Sequence, residues 1–236
     1  MNPKSLLRWR FPLSGIPRTA RGVTSAQSAP TLRAWYARIA HVYDAVVPYV
    51  SEEARTEALS RLDVTNGEQV LDLGTGTGLA LHRLAGGNSK GWTEGVDLST
   101  EMLRRARRRM ERIPHARYGL RQADATSLPY PDDSFDVVYS SYLLDVLPPA
   151  DRHEALQEMK RVLRSGGRVG AVTLTRPERA LERLWVGMAR ALPFLAGGAR
   201  PVTLRPSLQD TGFIVTDWST HCQAGLRSAV YLATLG

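Results

Sequence analysis

From Thr31 onward the chain alternates between two hydrophobic rhythms. Short apolar runs at 69–73, 92–97, 117–122, 135–141 and 168–174 are bounded by glycine, proline and acidic residues, and each reads as a buried strand. Between them apolar residues recur at helical spacing, which predicts helices over 78–85, 100–112, 151–163 and 178–192. Two further helices are expected upstream, over 32–42 and 51–62; the second opens on Ser51 with Glu52 and Glu53 in its first turn. The apolar segments Phe213–Ser219 and Ser228–Thr234 are expected to pair as a closing antiparallel hairpin. Such alternation builds a doubly wound α/β fold: a mostly parallel sheet of seven strands with helices on both faces. Its ligand would lie at the carboxyl ends of the strands.

Composition adds limits. The 236 residues, 43% apolar and 23% charged, suffice for one domain with a sizeable core, taken as 31–236. Residues 1–30 are acid-free, contain Pro, Ser, Gly and Arg without periodicity, and are set apart from the fold. They read as a disordered tail, as an organellar transit segment or as a basic arm for an anionic membrane. No apolar run reaches the eighteen residues of a spanning helix, so a cytoplasmic protein, soluble or membrane-peripheral, is expected. The formal net charge is +8, and Lys4, Arg8, Arg10, Arg18, Arg21, Arg33 and Arg38 all precede the first acid, Asp44. The single cysteine, Cys222, excludes an internal disulfide and a cysteine-rich metal site, and no metal is expected.

The candidate chemistry begins in VLDLGTGTGLA, residues 70–80, where a strand breaks into glycines at alternate positions. Glycine there can take positive φ, admit a ligand to the main chain and let the next helix pack closely. A dinucleotide turn would place glycines at 74, 76 and 79; here position 79 is Leu and the third glycine is Gly78. Asp72, two residues before the first glycine, suits an ammonium better than a pyrophosphate. Asp97 ends the second strand, where a carboxylate can accept both hydroxyls of a ribose, and Asp124 follows the third, where it can accept from an exocyclic amine. Together the three acids describe a pocket for an ammonium, a ribose and an adenine.

Four segments carry a resemblance to the Rossmann-like, class I S-adenosylmethionine-dependent methyltransferases across about residues 32–236. VLDLGTGTG is similar to their first motif and GVDLSTEML to their second-strand motif. DATSLPYPDDSFDVVYSSYLL resembles their D-A-x-x-L-P-F-x-D-x-S-F-D motif. VLRSGGRVGAVTLTRP resembles their Leu-(Lys/Arg)-Pro-Gly-Gly turn, with Ser165 where proline is usual. The resemblance implies S-adenosyl-L-methionine as cofactor, its methionine end held by Asp72 and the backbone of Gly74, Thr75, Gly76 and Gly78. It implies Asp97 on the ribose, Leu98 and Met102 lining the adenine, Asp124 with Ala125 reading its edge, and Ser140 or Ser141 near the sulfonium. Little further catalysis is needed, because the enzyme chiefly aligns an acceptor lone pair with the methyl group. A base is required only where the acceptor must lose a proton.

The acceptor is less sharply drawn. WYARIAHVYDAVVP resembles the N-terminal F-x-x-I-A-x-x-Y-D segment of the ubiquinone/menaquinone-biosynthesis C-methyltransferases, with Tyr36 in the phenylalanine place and Ile39, Ala40, Tyr43 and Asp44 matching. The resemblance implies a segment folded over the cofactor, with Tyr43 closing the pocket; core packing of Tyr36 and Tyr43 is the other reading. Residues 175–205 would form a lid over the acceptor, shorter than in the quinone enzymes and without their Tyr-Leu-x-x-Ser element. Asp145, Tyr43 and His41 are the candidate catalytic residues, with His153 and His221 as further base candidates.

The helix after Asp97 carries Arg104, Arg105, Arg107, Arg108, Arg109 and Arg112. That face reads as solvated surface, then as a contact for anionic lipid; nucleic acid is disfavoured, since no known binding module accompanies the charge. The acceptor is therefore expected to be small or lipid-like, with a quinone precursor, a phospholipid amine and a small hydroxyl or amine compound all open. A non-catalytic binding or assembly factor on the same fold is the rival from another class, and the intact acids and glycines oppose it.

Overall fold

The structure is a computed structural model and describes residues 51–178, Glu182 and 200–235. The elements run α1 (51–62), β1 (Gln69–Leu73), α2 (Leu79–Gly87), β2 (Trp92–Asp97), α3 (Thr100–Met110), β3 (Tyr118–Gln122) and β4 (Phe135–Ser141). They continue with α4 (Pro149–Val162), β5 (Leu163–Leu174), α5 (Leu204–Thr211), β6 (Phe213–Gln223) and β7 (Leu226–Leu235). One sheet takes the order β3-β2-β1-β4-β5-β7-β6. β1 to β5 run parallel, and β7 is antiparallel to both β5 and β6. The strand order reverses between β1 and β4, and such a switch point opens a crevice at the carboxyl ends of those strands.

Strand alternation sends β1 side chains into two cores. Leu71 and Leu73 pack with Ala155, Leu156 and Met159 of α4 and with Leu204 and Leu208 of α5. On the other face Val70 packs with Ala54, Ala58 and Leu62 of α1 and with Ala80 and Leu84 of α2. Burial on both faces explains why the parallel strands read as continuous apolar runs. Met110 joins α3 to Leu81 and Ala85 of α2. Arg168 of β5 ties down the end of α1: its guanidinium donates to Leu62 O (2.7 Å) and Asp63 O (2.6 Å) and pairs with Glu68 (2.8 Å).

The strand and helix expectations over 69–141 hold, with three local differences around and after them. Gly78 lies outside α2, as its left-handed N-cap (φ 80°). β5 starts at Leu163 rather than 168, because α4 passes directly into it. Leu163 already pairs with Phe135, and the ladder then shifts register around Gly166 (φ 75°) before Arg168 meets Val137. α5 was not anticipated. Leu204, Leu208 and Thr211 lie on one buried face and Gly212 ends it at φ 95°. Pro206 in its first turn, where no intrahelical donor is lost, masks the helical signal. The helix expected over 32–42, the one over 178–192 apart from Glu178 and Glu182, and residues 1–30 lie outside the described residues.

Candidate functional site

The crevice at the switch point holds about 750 Å³ of space, part of it open to solvent. Four chain segments line it. They are the β1 exit (Leu73, Gly74, Gly76), the β2 exit (Val96 to Ser99, with Met102 of α3), the β3 exit (Ala123 to Ala125) and the β4 exit (Ser141 to Leu143, Val146, Leu147).

The glycine turn is built by hydrogen bonds to its neighbour. Gly74 N and Thr75 N both donate to Val96 O (2.8 and 2.9 Å), which draws the β1 exit over the end of β2. Gly78 permits close packing, since a Cβ there would stand 3.0 Å from the Ala106 backbone of α3. Gly76 is different: nothing lies within 4 Å of the place its Cβ would take, so its main chain is open. Its N–H donates to Asp97 Oδ2 (2.8 Å), while Ser99 N donates to Oδ1 (2.8 Å). The Asp97 carboxylate therefore keeps acceptor capacity for a ligand. Burial pushes the Asp97 carboxyl upward, and the N–H groups of Ser99, Gly76 and Leu98 oppose the shift.

Asp124 Oδ1 accepts from Thr126 N (3.0 Å) and Thr126 Oγ1 (2.9 Å), an Asx turn that fixes the β3 exit. Asp72 sits beneath the loop instead of facing the crevice. It is 1% exposed, and its Oδ2 accepts from Thr75 Oγ1 at 2.6 Å. Burial pushes its pKa up to about 7, against the lowering effects of the Thr75 hydroxyl and the charge of Arg55.

Of the sequence-derived cofactor residues, Gly74, Gly76, Asp97, Leu98, Met102, Asp124 and Ala125 converge on the crevice. Asp72, Thr75, Gly78 and Ser140 do not line it; Ser140 is buried in β4 and its neighbour Ser141 takes the lining position. Asp145 is also off the lining. Its Oδ2 accepts from Leu174 N (2.8 Å), its Oδ1 has no partner among the described residues, and burial pushes its pKa up to about 7. His41 and Tyr43 lie outside the described residues, as do Tyr36, Ile39, Ala40 and Asp44. His153 is exposed on α4, and His221 pairs with Glu57 on the α1–β6 surface. Ser99, Tyr142, Leu143, Val146 and Leu147 went unanticipated as lining residues. The rule placing ligands at strand carboxyl ends would have pointed to those following β4.

Residues 70–167 match a family described as a methyltransferase domain. The phosphatidylethanolamine N-methyltransferase of Cereibacter sphaeroides is 37% identical over 155 residues, which are 60% of this chain and 71% of that protein. The chain belongs to the class I S-adenosylmethionine-dependent methyltransferases. A second relative of this methyltransferase, the demethylmenaquinone methyltransferase of Roseiflexus castenholzii, is 31% identical over 176 residues, 72% of each chain. The solved structure of the cyclase SpnF aligns with a TM-score of 0.72 at 18% identity, covering 92% of this chain and all (100%) of that one. A 1,6-didemethyltoxoflavin-N1-methyltransferase of Burkholderia thailandensis, with bound 1,6-didemethyltoxoflavin and S-adenosylhomocysteine, gives 0.67 at 20% identity, covering 93% and 94%. These two share the fold, and the cyclase among them shows that the fold alone does not name an activity. S-Adenosylmethionine is the cofactor, and no described helix is long and apolar enough to cross a membrane.

Proposed function

We propose that this methyltransferase uses the switch-point crevice to hold S-adenosylmethionine and passes its methyl group to a lipid-like acceptor. The observation that carries the cofactor site is Asp97. It is locked by Gly76 N and Ser99 N with lone pairs to spare, beside an open Gly76 main chain, as a ribose diol requires. Leu98, Met102 and Ala125 supply apolar surface for the adenine, and Asp124 Oδ2, which has no partner among the described residues, can accept from its amine. Asp72 acts through Thr75, fixing the loop, and adds negative potential beneath the ammonium end.

The cofactor brings an activated methyl group on a cationic sulfur. The protein's task is to align the acceptor and keep water out. An amine acceptor, an ammonium in water at about pH 7, first gives up a proton to water. Its lone pair, or the electron pair of an ionised ring, then forms the new bond to the methyl carbon as the sulfur–methyl bond breaks and neutral S-adenosylhomocysteine leaves. Asp97 and Asp124 are the only carboxylates of the described lining and both are on the cofactor side; it holds no histidine, the Tyr142 hydroxyl is tied to Ser228, and Asp145 is sealed from the crevice. An amine, whose neutral form is reached by proton loss to water, or an already ionised ring, suits such a site better than an alcohol hydroxyl needing a positioned base.

The β4 exit, with Leu143, Val146 and Leu147, gives the crevice an apolar flank suited to a lipid-like body. A phospholipid amine is favoured, in keeping with the Cereibacter relative, and a quinone precursor is the second reading, from the Roseiflexus relative. Peripheral contact with anionic membrane would bring the enzyme to either. The test is methyl transfer from labelled S-adenosylmethionine to phosphatidylethanolamine vesicles, demethylmenaquinol and small phenols or amines, read by mass spectrometry. Labelled N-methylated phosphatidylethanolamine is expected. Turnover confined to water-soluble acceptors would sink the lipid reading.

A further inference from the structure

We propose that Tyr142 recognises the positive charge of the cofactor, presenting its ring face to the sulfonium. The inference rests on the reading that the crevice holds S-adenosylmethionine, and it assigns the group that tells this cofactor from its uncharged product.

Three observations converge on the residue. First, Tyr142 has φ 57°, a left-handed conformation uncommon for an aromatic residue and one that marks functional sites more often than chance. It is held there from two sides. Its N–H donates to Val172 O (2.8 Å), and its hydroxyl shares a 2.8 Å hydrogen bond with Ser228 Oγ. Ser228 is 2% exposed and lies on β7, opposite Leu174 of β5. The residue is thus tethered through its backbone and its hydroxyl, packs against the core on the α1 and α2 side, and still lines the crevice.

Second, Tyr142 stands at the glycine-loop end. The neighbouring Leu143 meets that loop so closely that a Cβ on Gly74 would fall 2.9 Å from Leu143 Cβ. Third, the distribution of negative groups leaves that end without a lining carboxylate. Asp97 and Asp124 follow β2 and β3, and in the order β3-β2-β1-β4 they lie on the far side of β1 from Tyr142. Asp72 lies under the loop with an oxygen engaged by Thr75. Tyr142 is the only aromatic ring among the described lining residues. A cation beside the β1 and β4 exits therefore meets the π face of Tyr142, an attraction that strengthens where water is excluded.

Calorimetric titration of S-adenosylmethionine and S-adenosylhomocysteine into the full-length chain tests this without any acceptor. Tyr142→Leu is expected to weaken S-adenosylmethionine by about three- to thirtyfold and S-adenosylhomocysteine by less than about twofold, within ordinary non-polar replacement. Tyr142→Phe, which keeps the ring, should retain most of the preference. Tyr142→Gly relaxes the backbone and should show the same discrimination as Tyr142→Leu, which covers the case of a leucine variant that folds poorly. Equal losses for the two ligands, or no loss for either, overturn the proposal. Wild-type protein that binds neither ligand overturns the underlying cofactor-site reading instead.

Discussion

Asp97 organises the site as a single side chain. It receives N–H donors from Gly76 on one loop and Ser99 on the next. Replacement by Ala removes both charged hydrogen bonds and the proposed ribose contact. S-Adenosylhomocysteine affinity should fall by about 10- to 100-fold, measured by calorimetry, and unchanged affinity would move the ribose elsewhere. Asp72 makes a pH prediction. Its folded pKa of about 7 exceeds the ordinary aspartate value of 3.8, so the native state binds the extra proton more tightly. The carboxyl therefore lowers stability progressively as pH rises between those two values, with the full penalty present above about pH 7. Asp72→Asn should melt a few degrees higher than wild type at pH 8 and show little difference at pH 4. A thermal shift of the opposite sign at pH 8 would contradict the buried, poorly compensated carboxylate. At this scale the sequence pointed to acids that the fold brings to the crevice, because Asp97 and Asp124 follow apolar strands whose ends open on it. Whether Asp72 faces the crevice or the interior depends on the loop's hydrogen bond through Thr75, which spacing does not encode.

Elements were legible where their pattern is long and their caps ordinary. α3 begins at Thr100 because the Ser99 hydroxyl accepts from Met102 N, and its buried Met102, Ala106 and Met110 mark a regular stripe. α5 escaped notice because eight residues with an early proline carry little periodicity, and packing of Leu204 and Leu208 into the core decides it. Leu208→Ala should accordingly destabilise the fold by about 2–5 kcal/mol, read by urea denaturation. A loss under about 1 kcal/mol would mean the site collapses onto α4. Arg168 offers a second check between elements, since it caps the carbonyls at the end of α1 from β5. Arg168→Met should cost about 2 kcal/mol and raise hydrogen exchange in α1 ahead of the rest. Uniform exchange would show that α1 is held by its apolar face alone.

On the scale of the whole molecule, charge is the property that acts at a distance. The net charge is +8, and among the described residues Arg107, Arg108 and Arg112 of and beside α3 are exposed. If this surface meets membrane, sedimentation with phosphatidylglycerol vesicles should fall steeply between about 50 and 300 mM salt, as screening shortens the reach of each charge. Salt-independent sedimentation would point to apolar insertion, and none at all would return the arginines to solvated surface.

The sequence by itself determined the class of fold and the donor, because a parallel sheet buries both faces of its strands and leaves their ends for the ligand. Apolar runs, glycine turns and terminal acids therefore have nowhere else to go. Tertiary structure alone decided what lies across from what. It placed Tyr142, just after β4, against Ser228, 86 residues later on β7. It also set Leu143 against Gly74 and turned Asp72 beneath the loop. Those neighbours come from strand order, register and packing, which join residues far apart in the chain and leave no local mark along it.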